Sequence, residues 1–270
     1  MRSFSLLLFA LPSAVGCSDG GRISLVDGPQ ADAGDASAPD AGGPSGDAAN
    51  DVAMDDTCGD APWVNLGLVV SALSATGTPP LQGATFTVSI CSGRSTTSDA
   101  MGNVHGEISK SVPFYARLKR MGYADMLTPE QKYDADTSGV AISMLPAIFT
   151  ALIPGFATDK SVVFIGAMKN GGTGECDKLD GISFAVPGHP EASLTYYSTD
   201  QIPMPVDGAT STTTTTSGRA SIAGLPPGAP LAITASKTGC VVETVHGPNT
   251  GRAALEAGFV SILGAWVHNP

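Results

Sequence analysis

The sequence predicts an all-β fold in which two tandem β-sandwich units are joined by a short connector helix. Only 14% of the 270 residues are charged, whereas 33 are glycine and 20 are proline, a composition typical of short strands connected by tight turns. Apolar and polar residues alternate with period two in segments at roughly ten-residue spacing, as in β-sandwiches. A segment near residue 81 is also repeated near residue 179. These features favour two related all-β domains.

The N-terminus, residues 1–16, has the features of a secretory signal peptide. A basic residue at position 2 precedes an apolar run of eight, residues 4–11, which is far shorter than the ~20 residues of a transmembrane helix. The following segment Ala14-Val15-Gly16-Cys17 resembles a bacterial lipobox, in which the cysteine is acylated and becomes the first residue. This resemblance implies lipidation of Cys17.

An acylated Cys17 would attach the mature chain to a membrane. One acyl chain gives only reversible binding, and the resemblance implies several chains, so stable anchoring is expected. Ser18 after the cysteine indicates the outer membrane, and hence the cell envelope of a Gram-negative-type bacterium. The alternative is an ordinary signal peptide with an incidental cysteine. Pro12 disfavours that alternative because it spoils the usual cleavage site after Ala14.

Residues 17–56, the modified cysteine and the segment after it, are predicted to be a disordered tether. Alanine, aspartate, glycine and proline supply 27 of the 39 residues after Cys17, and no aromatic residue occurs there. Such a segment cannot bury enough apolar surface to offset its chain entropy, and it would have a reach of about 35 Å. An acidic calcium-binding segment is the alternative, but the ordered D-x-D-x-D-G loop of calcium sites is missing.

The net charge of −11 is concentrated in this tether. Residues 18–56 contribute −8, whereas residues 57–270 contribute only −4, and Arg2 contributes +1. The part predicted to fold therefore has no basic stripe that could neutralise phosphates, which argues against nucleic-acid binding.

An internal repeat divides the remaining chain into two units, residues 57–158 and 159–270. Leu81–Val88 matches Leu179–Val186 at an offset of 98. Two later glycine motifs, beginning at Gly102 and Gly122, recur at offsets of 116 and 117. About 18 residues are inserted in the second copy, around His189–Tyr197.

The motifs of these units resemble the carboxypeptidase regulatory-like domain. Its pattern P-L-x-G-A-x-F-x-V, S-D-x-x-G-x-V and G-Y is carried in the first copy by Pro80–Val88, Ser98–Val104 and Gly122-Tyr123. The second copy carries Leu179–Val186, Ser217-Gly218, Leu225–Gly228 and Lys237–Cys240. The resemblance covers most of residues 60–270. It implies a transthyretin-like (prealbumin-like) sandwich of seven strands in each unit, and a role as an accessory or interaction module.

The connector between the units has a helical pattern. Five apolar residues follow one another at helical spacing, Leu145, Ile148, Phe149, Leu152 and Ile153. Their stripe predicts an amphipathic helix of about three turns, capped by Ser143 and ended by Gly155. We expect it to pack on a sandwich edge; docking to a membrane surface or a partner is the alternative, which the lack of a basic face disfavours.

Familiar catalytic motifs are incomplete in this sequence. His105–Glu107 and His189–Glu191 each place one residue between histidine and glutamate, whereas zinc carboxypeptidases need two. Gly181–Ala185 resembles a nucleophile elbow but lacks its final glycine. We therefore predict no catalytic residue, no metal site, no cofactor and no enzymatic activity. A hydrolase with a site assembled across domains is a remote alternative.

Four cysteines remain once Cys17 is assigned to the anchor. None of their spacings resembles C-x-x-C, and separated cysteines in an exported chain favour structural disulfides. Cys176 and Cys240 lie near the two ends of the second repeat, and Cys58 and Cys91 lie early in the first. We predict the pairs Cys58–Cys91 and Cys176–Cys240.

These features predict a membrane-anchored envelope lipoprotein that acts as a structural or protein-interaction module, whose partner is an unidentified envelope protein or polysaccharide. The alternative is a carbohydrate-binding module, since sugar rings stack on exposed aromatic planes. The candidate contacts are Trp63, Tyr196, Tyr197 and Trp266. Adjacent strand residues point to opposite faces, so at most one of the two tyrosines could serve such a surface.

Overall fold

The computed structural model describes residues 62–73, 78–91, 94–198 and 212–270. The predicted signal peptide, Cys17, the tether and Cys58 lie outside these ranges. No helix within the ranges is long and apolar enough to cross a membrane. Strands account for most of the regular structure there, which confirms the predicted fold class.

The strands of the first unit form two layers. They are β1 (Trp63–Ala72), β2 (Thr85–Val88), β3 (Ser95–Thr97), β4 (Asn103–Ser109), β5 (Ala116–Lys119), β6 (Met126–Leu127), β7 (Pro129–Gln131) and β8 (Thr137–Met144). One layer has the order β4-β1-β8, with β1 antiparallel to β4 and parallel to β8. The other contains β3, β2, β5 and β6. Both layers contribute to one buried cluster, in which Leu66 and Val70 of β1 meet Phe86 of β2 and Leu118 of β5.

The second unit has more strands. They are β9 (Ser161–Lys169), β10 (Ser183–Ala185), β11 (Ser193–Tyr196), β12 (Arg219–Leu225), β13 (Gly228–Ala232), β14 (Thr234–Ser236), β15 (Val241–Glu243), β16 (Val245–His246), β17 (Asn249–Leu255) and β18 (Val260–His268). The order β11-β12-β9-β18 forms one layer, and β10 pairs with β14. A second buried cluster, with Ile165, Phe184, Ile222 and Leu263, fills this unit. The described strands exceed the seven expected in each unit, partly because β11 comes from the insertion in the second copy.

The repeat has a counterpart in strand pairing. Phe86 pairs with Leu118 in the first unit, and Phe184 pairs with Ala235 in the second. These positions differ by the offsets that the sequence motifs predict. The β4-β1-β8 arrangement likewise recurs as β12-β9-β18, again with one antiparallel and one parallel neighbour. The two units therefore share topology as well as motifs.

A hydroxyl group holds the same turn in both units. Ser98 Oγ donates a hydrogen bond to Leu81 O at 2.6 Å, and Thr214 Oγ1 donates to Leu179 O at 2.7 Å. Thr214, and not the aligned Ser217, is thus the equivalent of Ser98. The motif alignment missed this because threonine replaces serine while the function of the hydroxyl is kept.

The two units are joined by strand pairing as well as by the chain. β18 pairs in parallel with β9 on one edge, and its opposite edge pairs with β6 of the first unit through Val260–Met126 and Ser261–Leu127. A nine-stranded sheet therefore runs through both units. A second connection pairs β7 with β17, where Thr250 Oγ1 donates to Glu130 Oε1 at 2.8 Å.

An apolar cluster and an ion pair lie at the junction between the units. The cluster consists of Leu127, Ala254 and Phe259, with Tyr115 packed against it. Beside it, Arg117 Nε donates to both carboxylate oxygens of Glu256, at 2.7 and 2.8 Å. Hydrogen bonding to Glu256 raises the pKa of Arg117. Burial, with the neighbouring Glu256 carboxylate, raises the pKa of Tyr115 to about 12.

The connector is a shorter and tighter helix than predicted. It is a 3₁₀ helix spanning Ala147–Leu152, and Pro146 occupies its N-cap position. Ser143 does not cap it, because β8 continues to Met144. Ile148 is 74% exposed, so the apolar stripe does not form one buried face. The stripe assumed 3.6 residues per turn, whereas a 3₁₀ helix has three.

One predicted disulfide is present among the described residues. Cys176 and Cys240 are bonded, with their Cα atoms 5.5 Å apart, which confirms that pair. Cys91 is buried and disulfide-bonded. Because Cys58 lies outside the described ranges, its pairing with Cys91 stays a prediction.

Candidate binding surface

The outer face of the β4-β1-β8 sheet combines an exposed tryptophan with polar groups. Alternation along β1 buries Val64 and Leu66 in the core of the first unit and turns Trp63 and Asn65 to the outside. The Trp63 side chain retains 36% of its exposure. The predicted ligand contact at Trp63 is therefore accessible.

An aspartate holds one end of this face. Asn65 donates through its backbone N–H to Asp136 Oδ1 at 2.8 Å and through Nδ2 to Asp136 Oδ2 at 3.1 Å. Hydrogen bonding from the Asn65 backbone, followed by its side chain, lowers the pKa of Asp136. The Asp136 carboxylate is thus charged at neutral pH, and it fixes the side chain of Asn65, which lies next to Trp63 on this face of β1.

The histidine and glutamate of the His105–Glu107 motif lie on the same face. β4 pairs with β1 so that Glu107 is opposite Asn65 and His105 is opposite Gly67, and directly opposed residues share a face. A Cβ at Gly67 would lie 3.4 Å from His105 Nδ1 and 3.3 Å from Ser138. Because Gly67 has no side chain, the surface is recessed there between the side chains of His105 and Ser138.

This arrangement suits recognition of a polar ligand that carries an apolar face. An indole plane supplies stacking surface, and amide, carboxylate and imidazole groups supply hydrogen bonds. No group of three or more histidine, cysteine, aspartate or glutamate side chains placed to hold a metal occurs in the part of the chain that the structure describes. The groups that this face presents to a ligand are therefore those of stacking and hydrogen bonding.

The structure does not support the two tyrosines as ligand contacts. Tyr196 is 4% exposed and Tyr197 is fully buried. Tyr196 accepts a hydrogen bond from Phe184 N–H at 3.0 Å, and the Tyr197 hydroxyl lies 2.6 Å from Ser221 Oγ. Both strand faces are covered at this point, so neither ring is available to a sugar.

Trp266 is also constrained by its neighbours. Its ring stacks on His246, with centroids 4.5 Å apart and planes 20° from parallel. It also lies over Gly264, where an added Cβ would be 2.5 Å from the indole. With these contacts Trp266 contributes to packing on β18, and of the four predicted aromatic contacts Trp63 remains the most accessible.

Sequence reasoning missed the pairing of Asn65 with Asp136. The two residues are 71 positions apart, and neither belongs to a motif. Their proximity depends on the parallel pairing of β1 with β8, which a single sequence does not reveal. The only available signal was the alternation that places Asn65 next to Trp63 on one face.

Comparisons with known proteins give only remote structural similarity. No family model matches the sequence, and no curated protein matches it. The shaft pilin SpaA of Lactobacillus rhamnosus GG is 12% identical over 77% of this chain and 99% of the pilin, with a TM-score of 0.23. A minor pilin of Streptococcus agalactiae is 11% identical over 77% of this chain and 96% of its own length, with a TM-score of 0.23.

The TIE protein of Bacillus anthracis is a further structural match. It is 14% identical over 76% of this chain, with a TM-score of 0.24, and the chain spans 34% of its length. At these identities and TM-scores the comparisons assign no function to this chain.

Proposed function

We propose that this chain is a membrane-anchored module of the cell envelope that acts in structural or protein–protein contacts and has no enzymatic activity. The junction between the units carries the proposal. A sheet that runs through both units, a second pair of strands and a shared apolar cluster restrict motion between domains far more than a linker alone. Such a body is suited to holding a surface in a fixed orientation.

The anchor in this proposal is Cys17. Lipidation would hold the chain on the outer membrane, and the acidic tether of residues 17–56 would separate the folded units from it. The reach of about 35 Å expected of this tether exceeds the thickness of a lipid headgroup layer. The folded body would then be free to meet envelope proteins or polysaccharides.

Replacing the anchor residue is expected to abolish lipid modification. Cells expressing the wild-type chain and fed an alkyne-tagged fatty acid should incorporate the label into this protein, whereas Cys17→Ser should incorporate none. Cys58→Ser is the matched control, because it removes a cysteine predicted to form a disulfide and should keep the label. An unlabelled wild-type chain would exclude the anchor.

A second candidate function is carbohydrate binding, favoured by the exposed Trp63 beside Asn65 and Glu107. Removing a central aromatic contact typically costs more than 1 kcal/mol. Trp63→Ala should therefore weaken binding to an envelope polysaccharide by about fivefold or more, measured by calorimetry or affinity electrophoresis.

Two control variants make this test specific. Trp63→Phe keeps an aromatic plane and should retain most of the affinity. Met121→Ala changes a side chain that is 89% exposed outside this face and should leave affinity unchanged. Equal affinity of Trp63→Ala and the wild type would eliminate the surface as a sugar site.

A further inference from the structure

The insertion in the second unit supplies a strand that protects a sheet edge. β11 lies within the inserted stretch and pairs antiparallel with β12, from Ser193–Ala223 to Tyr196–Ala220. The pairing continues with the hydrogen bond from Tyr197 N–H to Arg219 O at 3.1 Å. In the second unit, therefore, the layer extends beyond β12 by one strand.

Among the described strands, none covers the equivalent edge of the first unit. β4 corresponds to β12 in topology, since each pairs antiparallel with the first strand of its unit. Among residues 62–73, 78–91, 94–198 and 212–270, no strand pairs with the outer side of β4, which ends its three-stranded sheet. An open edge of this kind is a template for pairing with another chain.

The hydrogen bonds that flank β4 identify which backbone groups face outwards. Val70 N–H donates to Gly102 O at 2.7 Å, and Lys110 N–H donates to Pro62 O at 2.9 Å. Even-numbered residues of β4 therefore direct their backbone groups towards β1, whereas His105 and Glu107 direct theirs to the opposite side. The Asn103 N–H is already bound to Asp99 Oδ1 at 2.8 Å, which leaves His105 and Glu107 as the centre of the edge.

We propose that β4 pairs antiparallel with β4 of a second copy of this chain, around a two-fold axis at Gly106. In this register His105 lies opposite Glu107 of the second copy, and the reverse pair forms by symmetry. Both side chains are exposed and complementary in charge when the histidine is protonated; when it is neutral they form a hydrogen-bonding pair. The self-complementary order of the two residues favours a second copy over an unrelated strand.

Two further observations support this pairing. Gly106 would face Gly106 of the second copy, so no side chains meet at the axis, and a Cβ there would touch only Phe86, at 3.9 Å. The second unit also accommodates a strand at its equivalent edge, so the sandwich geometry tolerates one. The pairing would produce one six-stranded outer sheet that carries the Trp63 surface of both copies.

The test is sedimentation velocity on the detergent-solubilised full chain over a range of concentrations. The wild type should dimerise, and His105→Pro should raise the dimer dissociation constant at least tenfold relative to His105→Ala. The two variants differ at the outward backbone N–H, which proline lacks, while neighbouring bonds to β1 are kept. A wild type that stays monomeric at every concentration would overturn the proposal.

A charge exchange tests the same register without proline. Glu107→Lys should weaken the dimer, because it removes the acidic partner of His105 on the second copy. Combining it with His105→Glu restores opposite charges in each pair and should recover the dimer. Circular dichroism confirms that each variant is folded. A dimer that is equally stable in all variants would place the contact elsewhere and refute the β4 pairing.

Discussion

Gly102→Ala is expected to lower the free energy of unfolding by about 2–5 kcal/mol. Gly102 has φ of +77°, and a Cβ at this position would lie 2.2 Å from Val70 O. That oxygen accepts a hydrogen bond from Leu81 N–H at 3.0 Å, and Val70 N–H donates to Gly102 O at 2.7 Å. Moving the backbone of Val70 or Gly102 away from an added Cβ would therefore break the hydrogen bonds that join β1 to the turn before β4.

Gly122→Ala is the matched control for this prediction. Gly122 also has a positive φ, +85°, but no atom lies within 4 Å of the position its Cβ would take. Only the conformational cost of about 1–2 kcal/mol applies there. Urea denaturation followed by circular dichroism measures both variants. Equal losses would mean that the steric contact at Val70 O contributes nothing.

Gly218 is the counterpart of Gly102 in the second unit. It shares the positive φ of Gly102, but an added Cβ would meet different atoms. Its φ is +66°, and an added Cβ would lie 2.9 Å from Leu179 Cβ and 3.1 Å from Ala167 Cβ. The hydrogen bond from Ala167 N–H to Gly218 O, at 2.8 Å, repeats the one at Val70. A positive φ favours glycine at both positions. This is why the glycine occurs in both copies of the motif.

Local patterns predicted the strands well because each strand buries one face. In β2, Phe86 and Val88 are buried while Thr85 and Thr87 are partly exposed, as the period-two alternation requires. The same reasoning failed at the connector, where Pro146 and the continuation of β8 left room only for a 3₁₀ helix. Spacing alone does not distinguish a helix from a strand end followed by a tight turn.

Burial of aromatic residues was harder to predict. Adjacent residues on a strand point to opposite faces, so the sequence allows at most one of Tyr196 and Tyr197 to serve a ligand surface, and the structure buries both. Tyr196 packs on Phe184 in the core of the second unit, whereas Tyr197 packs on Phe164 on the opposite face of the sheet. Whether a second layer covers a face depends on contacts between distant segments, and a single sequence carries little information about these.

The junction between the units illustrates the same limit on a larger scale. The repeat implies two similar domains, and nothing in it indicates that β6 of the first would pair with β18 of the second. Two residues of β6 suffice for this pairing. Arg117 and Glu256 are 139 positions apart, so neither the ion pair nor the shared sheet has a local signature.

Loss of the Cys176–Cys240 disulfide is expected to destabilise the second unit by about 4 kcal/mol. The bonded cysteines are 64 positions apart, and a cross-link that closes a long loop removes much conformational entropy from the unfolded chain. Cys240 also directly precedes β15, which pairs with the end of β18 through Glu243 and Trp266. The bond therefore holds the last strands of this unit against the segment that enters β10.

The double variant Cys176→Ser/Cys240→Ser tests this without a reducing agent that would also act on Cys91. In a Trp63→Phe background, Trp266 is the only tryptophan of the chain, so fluorescence during urea denaturation follows the second unit. We expect its midpoint to fall, and the stack of Trp266 on His246 to loosen. A loss below 1 kcal/mol would mean that the second core and the β9–β18 pairing hold the unit together without the cross-link.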